Sequence, residues 1–207
     1  MTMGKIMTND YQYVDLGLPS GTLWATCNLG AKRPTDIGYY FAWGETKGYS
    51  KIGEERNFNF ASYKYVNQYT HEYTKYKVTM LEAQLENEDD AAFANMGHPW
   101  QMPTKDQCSE LSKYTKNESF ITSPQGLKCV ELKSIFNKRK LIMPLGGFAY
   151  GKNLNSHGTH ALLWLKSLSS GTSYASYACI PQFTHIIIGN TDRFFGFNVR
   201  AVINPNK

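Results

Sequence analysis

The chain has 207 residues, a formal net charge of +5 and 14% aromatic residues, a size that fits one compact domain and leaves little room for two. Fourteen Tyr and eleven Phe favour a fold rich in β-structure. No apolar run reaches the length of about 18 residues that a membrane span requires, and the N-terminus lacks the apolar region of a signal peptide, so we expect neither membrane insertion nor a secretory signal.

The sequence contains few residues in the patterns that catalytic or metal-binding sites require. Its four cysteines form no Cys-x-x-Cys pair, which excludes a zinc ribbon and a thioredoxin-like motif; we expect buried free thiols, the alternative being two disulfides. The tight basic run at residues 138–140 is better explained as a solvated strand end than as a nucleic-acid site. His157 and His160 have no third ligand at metal spacing. We therefore expect no enzyme activity, no catalytic residues, no metal, no cofactor and no nucleic-acid partner.

The N-terminal part divides into a tail and the first strands of the domain. Residues 1–10 show no pattern and are predicted to be a flexible tail, followed by a single domain over residues 11–207. Residues 11–16 and 22–27 are predicted strands, joined by a turn that contains Pro and Gly.

The middle of the chain is predicted to contain a long loop and two helices. Residues 45–88 are polar, tyrosine-rich and poor in periodicity, which indicates a long surface excursion. Residues 88–97 read as a short helix with an acidic start and a closing glycine. Thr104 and Gln107 form a capping box, which predicts a second helix through Tyr114.

The C-terminal segment, residues 146–202, is predicted to be a hairpin-rich sheet that carries the ligand-binding face. Short apolar or β-branched runs alternate there with clusters of Gly, Ser, Asn and Thr. After Glu131 the only carboxylate side chain is Asp192. A neutral-to-basic surface rich in Tyr, Ser, Asn and Thr is typical of recognition faces. The strand candidates in the second half of the chain are residues 127–132, 141–145, 161–168, 174–180, 184–188 and 195–203.

Five fragments carry a family resemblance. They are VDLGLPSGTLWATCNLGA (14–31), YYFAWGET (39–46), EDDAAFANMGHPWQMPTKDQ (88–107), IMPLGGF (142–148) and DRFFGFNVRAV (192–202). Together they resemble the Fibrobacter succinogenes major paralogous domain, which is abundant in Bacteroidetes and their phages. The resemblance implies an α+β, C-type-lectin-like fold, similar to formylglycine-generating enzymes, with two helices and twisted, loop-rich antiparallel sheets.

The same resemblance implies a function. Some members look like the variable proteins of diversity-generating retroelements, which in phages sit at tail-fibre tips and determine host tropism. It therefore implies a non-enzymatic adhesin that binds a bacterial surface protein or glycan receptor. Such a protein would be located on a virion tail fibre or a bacterial cell surface, as a homotrimer or attached to a fibre protein. The alternatives are a structural decoration protein of a virion and a bacterial cell-surface protein that binds sugar or peptide.

Departures from the family pattern indicate where ligand contacts would lie. Leu163, Leu165 and Lys166 replace an expected Tyr-Trp-Ser-Ser frame, and residues 180–185 replace a plainer strand, whereas Trp164 is predicted to be core. The residues predicted to bind a ligand are Leu163, Lys166, Ser169, Tyr174, Ser176, Tyr177, Gln182, Thr184 and His185.

Overall fold

Twelve strands and two α-helices form in the part of the chain that the computed structural model describes, residues 11–77, 84–169, 174–182 and 184–205. The tail predicted for residues 1–10 lies outside these ranges. The helices are α1 (Ala91–Met96) and α2 (Lys105–Tyr114). The strands are β1 (Tyr13–Asp15), β2 (Leu23–Ala25), β3 (Trp100–Gln101), β4 (Thr115–Thr122), β5 (Lys128–Ser134), β6 (Lys140–Pro144), β7 (Phe148–Tyr150), β8 (Asn153–Asn155), β9 (His160–Leu168), β10 (Tyr174–Pro181), β11 (Ile187–Asp192) and β12 (Val202–Ile203).

These strands pair into four small antiparallel sheets. The first has the order β1-β2-β12-β3 and joins the two ends of the domain, with Val202 opposite Trp24. The others follow the chain locally, as β11-β10-β9, β4-β5-β6 and the hairpin β7-β8. The strand predicted at residues 184–188 lies further along the chain, as β11. Of the strand predicted at residues 195–203, only the last two residues form a strand, β12.

The prediction of an α+β, C-type-lectin-like fold is wrong. Strand accounts for 39% and helix for only 12% of the structure, which is mostly small antiparallel sheets. Both predicted helices form, but they span only six and ten residues. The chain that leaves α2 enters β4 at once, so that the region after Tyr114 adds strand where the sequence predicted none.

The helix starts follow from local capping. The Thr104 hydroxyl accepts a hydrogen bond from the backbone N–H of Gln107, and the Gln107 side chain accepts one from the N–H of Thr104, which confirms the predicted capping box. The first helix begins later than predicted, because Asp90 is its N-cap and accepts hydrogen bonds from Ala92 and Phe93. Neither helix in the described residues is long and apolar enough to cross a membrane.

Strand β9 lies between two hydrophobic clusters and is buried on both faces. Leu162 and Trp164 belong to the first cluster, which also contains Trp43, whereas Leu163 and Leu165 belong to the second, which contains Trp24. Trp164 is fully buried, which confirms its prediction as core. A strand covered on both sides has no exposed face, so alternation along it does not separate core from surface.

The described part of residues 45–88 lies only partly at the surface, as predicted, and part of it packs into the core. Phe58, Tyr63, Tyr65 and Tyr76 are all buried in the first cluster. The Tyr63 hydroxyl donates to the carbonyl oxygen of Trp43 at 2.6 Å. Tyrosines are polar enough to resemble a loop in sequence, but with their hydroxyls satisfied they pack like other aromatic core residues.

All four cysteines are free, as predicted. Cys108 and Cys129 are buried, whereas Cys27 and Cys179 are half-buried. Burial raises the pKa of the Cys129 thiol to about 11, which keeps it protonated at neutral pH.

Candidate ligand-binding face

A group of half-exposed aromatic rings lies on the C-terminal segment, and we call it the aromatic face. Phe148 stacks on Phe195 with a centroid distance of 5.7 Å, and Tyr150 lies 5.0 Å from Phe195. Phe194 contacts Phe195 edge-on at 5.2 Å. The face consists of Phe148, Tyr150, Tyr177, Phe194 and Phe195, all of them from residues 146–202.

A buried ring supports these exposed ones. Phe197 stacks on Trp164 at 4.3 Å and meets Tyr177 edge-on at 5.1 Å and Phe148 at 5.8 Å. The indole N–H of Trp164 donates to the carbonyl oxygen of Phe41 at 2.7 Å, which fixes the lower ring of the stack. The face is therefore held on rigid core residues, which lowers the entropy cost of using it to bind.

Two glycines allow the rings to lie close to the backbone. A Cβ on Gly189 would come within 2.7 Å of the Tyr177 ring, so that ring covers the glycine on the neighbouring strand β11. A Cβ on Gly196 would come within 2.8 Å of the Cβ of Ala149 and of the Phe58 ring. A larger residue at Gly189 would displace Tyr177 of the aromatic face, and one at Gly196 would displace the core ring of Phe58 or Ala149 of β7.

The polar groups around the face are mostly neutral. Lys152 and Asn153 are exposed beside Tyr150, at the turn between β7 and β8, and Leu154 is 42% exposed. The carboxylate that precedes Phe194 in the chain, Asp192, is half-buried, and burial raises its pKa. This setting favours stacking and neutral hydrogen bonds over the recognition of charge.

A fully buried arginine anchors the segment behind Phe194. The guanidinium of Arg193 lies 4.2 Å from the centroid of Tyr73 and 5.7 Å from that of Trp43, and it donates to the carbonyl oxygen of Tyr76 at 2.7 Å. Desolvation by burial lowers its pKa. Among the described residues no carboxylate pairs with Arg193, and cation–π contacts together with hydrogen bonds to backbone carbonyls stabilise its charge.

Three of the predicted ligand contacts lie in the interior. Leu163 is 1% exposed in the second cluster, and Ser176 is fully buried, with its hydroxyl bonded to Asn190 at 2.8 Å. Lys166 is 8% exposed, and its ammonium lies 3.4 Å from the buried carboxylate of Asp90. Because these side chains pack in the core or form an internal ion pair, they are not available to contact a ligand, and their prediction as ligand contacts is wrong.

The other predicted contacts do not form one site. Tyr174, the first residue of β10, is 43% exposed and pairs with Asp192, the last residue of β11, from which the chain leads to Phe194 of the aromatic face. The length of β10, about 23 Å at 3.3 Å per residue, separates Tyr174 from the half-buried Gln182. The remaining predicted contacts are Ser169, which is half-buried, Tyr177, which belongs to the aromatic face, and Thr184 and His185, which are exposed.

Four residues of the aromatic face were missed in the sequence. Phe148 and Tyr150 alternate along β7, and Phe194 and Phe195 are adjacent in a turn. The sequence contains no signal that separates these rings from core residues, because Phe194 and Phe195 both pack against the first cluster with only part of each ring exposed.

One group of three carboxylates in the described residues is close enough to hold a metal ion, Glu86, Glu88 and Asp89. The ammonium of Lys75 already lies among them, at 2.7, 2.8 and 2.6 Å. These carboxylates therefore neutralise a lysine, and the cluster is explained by ion pairing.

Comparison with known proteins finds no matching family model, no matching curated protein and no matching solved structure. The resemblance to the Fibrobacter succinogenes major paralogous domain therefore stays a prediction.

Proposed function

We propose that the chain is a non-enzymatic ligand-binding module that uses the aromatic face to recognise a receptor on a bacterial surface. The observation that supports this proposal is the face itself, in which the exposed ring of Tyr150 adjoins half-buried rings on a rigid base within one segment. Covering these rings would release about 25 cal/mol for each Å² of apolar surface removed from water. Contiguous exposed apolar surface of this kind marks interaction sites in folded proteins.

The chemistry of the face suits a glycan or a protein receptor with few charges. Aromatic rings stack on the apolar faces of sugars and on apolar side chains, while Asn153 and Lys152 provide hydrogen bonds at the rim. The family resemblance adds the setting, display on a phage tail fibre or on a bacterial cell. In either setting several copies would compensate for weak single-site binding.

The rival is a virion decoration protein, for which the same face would be a permanent protein interface. Permanent interfaces are larger and more apolar than transient ones. An assembly protein would bury the face in a stable complex with itself or a fibre protein, and it would leave bacterial cells unbound.

The test is binding of the purified full chain to intact gut-bacterial cells. The wild type is compared with Tyr150→Ala/Tyr174→Ala, which removes two exposed tyrosines of the C-terminal segment. The matched control, Tyr13→Ala/Tyr69→Ala, removes two exposed tyrosines from elsewhere. We expect saturable binding that only the first variant loses, with unchanged melting temperatures.

Treatment of the cells separates the receptor classes. Loss of binding after protease identifies a protein receptor, and loss after periodate identifies a glycan. An absence of binding across a broad strain panel, together with a stable oligomer in sedimentation that Tyr150→Ala/Tyr174→Ala dissociates, would contradict the adhesin and support the assembly protein.

A further inference from the structure

A cleft with a volume of about 480 Å³ lies between the chain that follows β2 and the C-terminal end of α1. None of the described residues of the C-terminal segment lines it. Tyr11 and Tyr39, exposed by 44% and 41%, form part of its walls. Leu29, Phe41 and Met96 contribute buried apolar surface to its floor. Its volume falls within the range of about 300–1,000 Å³ that is common for small-ligand sites.

The two tyrosines are held in place before any ligand arrives. A Cβ on Gly30, which has a φ of +79°, would come within 2.5 Å of the Tyr39 ring, so that ring lies directly on the glycine backbone. The Tyr11 hydroxyl donates to the carbonyl oxygen of Asn95 at 3.3 Å, and its ring contacts Trp100 edge-on at 6.3 Å. Preorganised rings lose little entropy on binding.

The polar lining favours a neutral ligand. Among the described residues that line the cleft, Lys32 is the one with a charge, and amide groups are supplied by Gln12 and Asn95. No carboxylate from these residues is present to bind a cationic ligand.

The floor does not favour an extended peptide. The backbone N–H groups of Ala25 and Leu29 already donate to the carbonyl oxygens of Ala201 and Val199, both at 2.9 Å. The N–H of Ala31 donates to Asn28 at 3.0 Å. A peptide that adds to a sheet needs free backbone groups, so recognition here depends on rings and side-chain amides.

A second cavity adjoins the first at Tyr39. It has a volume of about 450 Å³ and is lined also by Tyr49, Ser50 and Glu55. A ligand longer than one ring could therefore extend past Tyr39 from one cavity into the other.

We propose that this cleft is a binding site for a neutral oligosaccharide, separate from the aromatic face. Tyr11 and Tyr39 stack on the apolar faces of the sugar rings. The Gln12 amide bonds to hydroxyl or N-acetyl groups, and Asn95, whose amide nitrogen already donates to Thr46 and Ala91, accepts through its side-chain oxygen. The next sugar units lie beyond Tyr39.

The cleft contains its own reporter, because Cys27 lines it and is half-buried. Cys179 is also half-buried but lies on β10, outside the cleft, and serves as the internal reference. Alkylation of both thiols by iodoacetamide is followed by mass spectrometry in the full chain.

The probes are maltotriose, cellotriose and the trimer of N-acetylglucosamine, each at millimolar concentration. Saturation-transfer NMR of the same sugars gives a readout that does not depend on the thiol.

We expect at least one trisaccharide to slow the alkylation of Cys27 about threefold or more, to leave Cys179 unchanged and to show saturation transfer. Tyr39→Ala should remove both effects, whereas Tyr13→Ala, which changes an equally exposed tyrosine outside the cleft, should retain them. The proposal is overturned if no sugar gives protection or saturation transfer, or if Tyr39→Ala binds as the wild type does. Protection by the tripeptide Ala-Tyr-Ala, but by no sugar, would overturn it in favour of a peptide site.

Discussion

Two regions of the molecule are rich in aromatic residues, and they use them in opposite ways. Between Phe58 and Tyr76 most of the tyrosines pack inward and only Tyr69 is fully exposed; the buried ones donate their hydroxyl groups to fixed acceptors, for example Tyr63 to Trp43, and Tyr76 to Asp89 at 2.8 Å. On the aromatic face Tyr150 is 52% exposed, and the four rings beside it are partly accessible to water while they pack against the first cluster. Aromatic density therefore does not identify a binding surface. The distinction lies in whether neighbouring groups of the fold cover the ring and satisfy its hydroxyl.

Asp89 explains why the first region folds inward. Its carboxylate accepts hydrogen bonds from Tyr65 and Tyr76 and from the ammonium groups of Lys75 and Lys64. A buried carboxylate is stable only with such partners. These four contacts attach the tyrosine-rich stretch to the start of α1, whereas in the described part of the chain no buried carboxylate accepts a hydrogen bond from Tyr150.

The largest effect on stability is expected from Lys166→Ala. This change leaves the buried carboxylate of Asp90 without its cation, which typically costs about 3–5 kcal/mol. Chemical denaturation would measure the loss, with Lys152→Ala, an exposed lysine beside the aromatic face, as the control that keeps wild-type stability. A Lys166→Ala protein with unchanged stability but lost cell binding would restore Lys166 as a ligand contact.

A smaller loss is expected from Asp89→Asn, because Lys75 and Lys64 can turn towards water when their partner is neutralised. Hydrogen bonds to a charged group contribute about 1.5–3 kcal/mol, and we expect a loss of about 2–3 kcal/mol. Hydrogen exchange should show faster opening of residues 58–76 and unchanged protection of β9. Uniform acceleration across the whole domain would contradict a local role for Asp89.

The same carboxylate predicts a dependence of stability on pH. Burial acts to raise the pKa of Asp89, but hydrogen bonds from Lys75, Tyr65 and Tyr76 outweigh it and lower the pKa from 3.8 to about 2. Because the folded value is the lower one, this contribution is present above about pH 4 and is lost as the pH falls towards 2. The difference in unfolding free energy between wild type and Asp89→Asn should shrink over that interval. A constant difference would refute the assignment.

The smallest effect on stability is expected from Tyr150→Ala. Its ring is half-exposed, and its contacts are to Phe195 and Phe194 at the surface. We expect a loss of about 1 kcal/mol or less in denaturant unfolding, since surface aromatic pairs contribute about that much. A loss as large as that of Lys166→Ala would show that the aromatic face is part of the core.

Local signals in the sequence predicted the local structure correctly. Thr104 and Gln107 are three residues apart and satisfy each other's backbone, so the capping box determines the start of α2 without help from the rest of the fold. The turn after β1 is equally local, with the N–H of Gly21 donating to the carbonyl oxygen of Leu18.

The errors arose where tertiary contacts decide. Lys166 was predicted to contact a ligand because it departs from the family pattern, but β9 is buried on both faces and Asp90 provides its partner. Tyr65 was predicted to lie in a surface loop. Its burial depends on a hydrogen bond to Asp89, 24 positions away, which local sequence does not show. The fold class was wrong because it followed from the family resemblance, and the small sheets depend on pairings such as β2 with β12 across most of the chain.

The central claim is that half-exposed rings on the C-terminal segment, and not tyrosines in general, bind the receptor. Its most direct test compares the dissociation constants of Tyr150→Ala and Tyr69→Ala on a bacterial strain that the wild type binds. Tyr69 is 96% exposed and lies in the other tyrosine-rich region. We expect Tyr150→Ala to weaken binding about tenfold or more, as a central aromatic contact does, and Tyr69→Ala to leave it unchanged. Equal affinities of the two variants, or a greater loss in Tyr69→Ala, would contradict the claim.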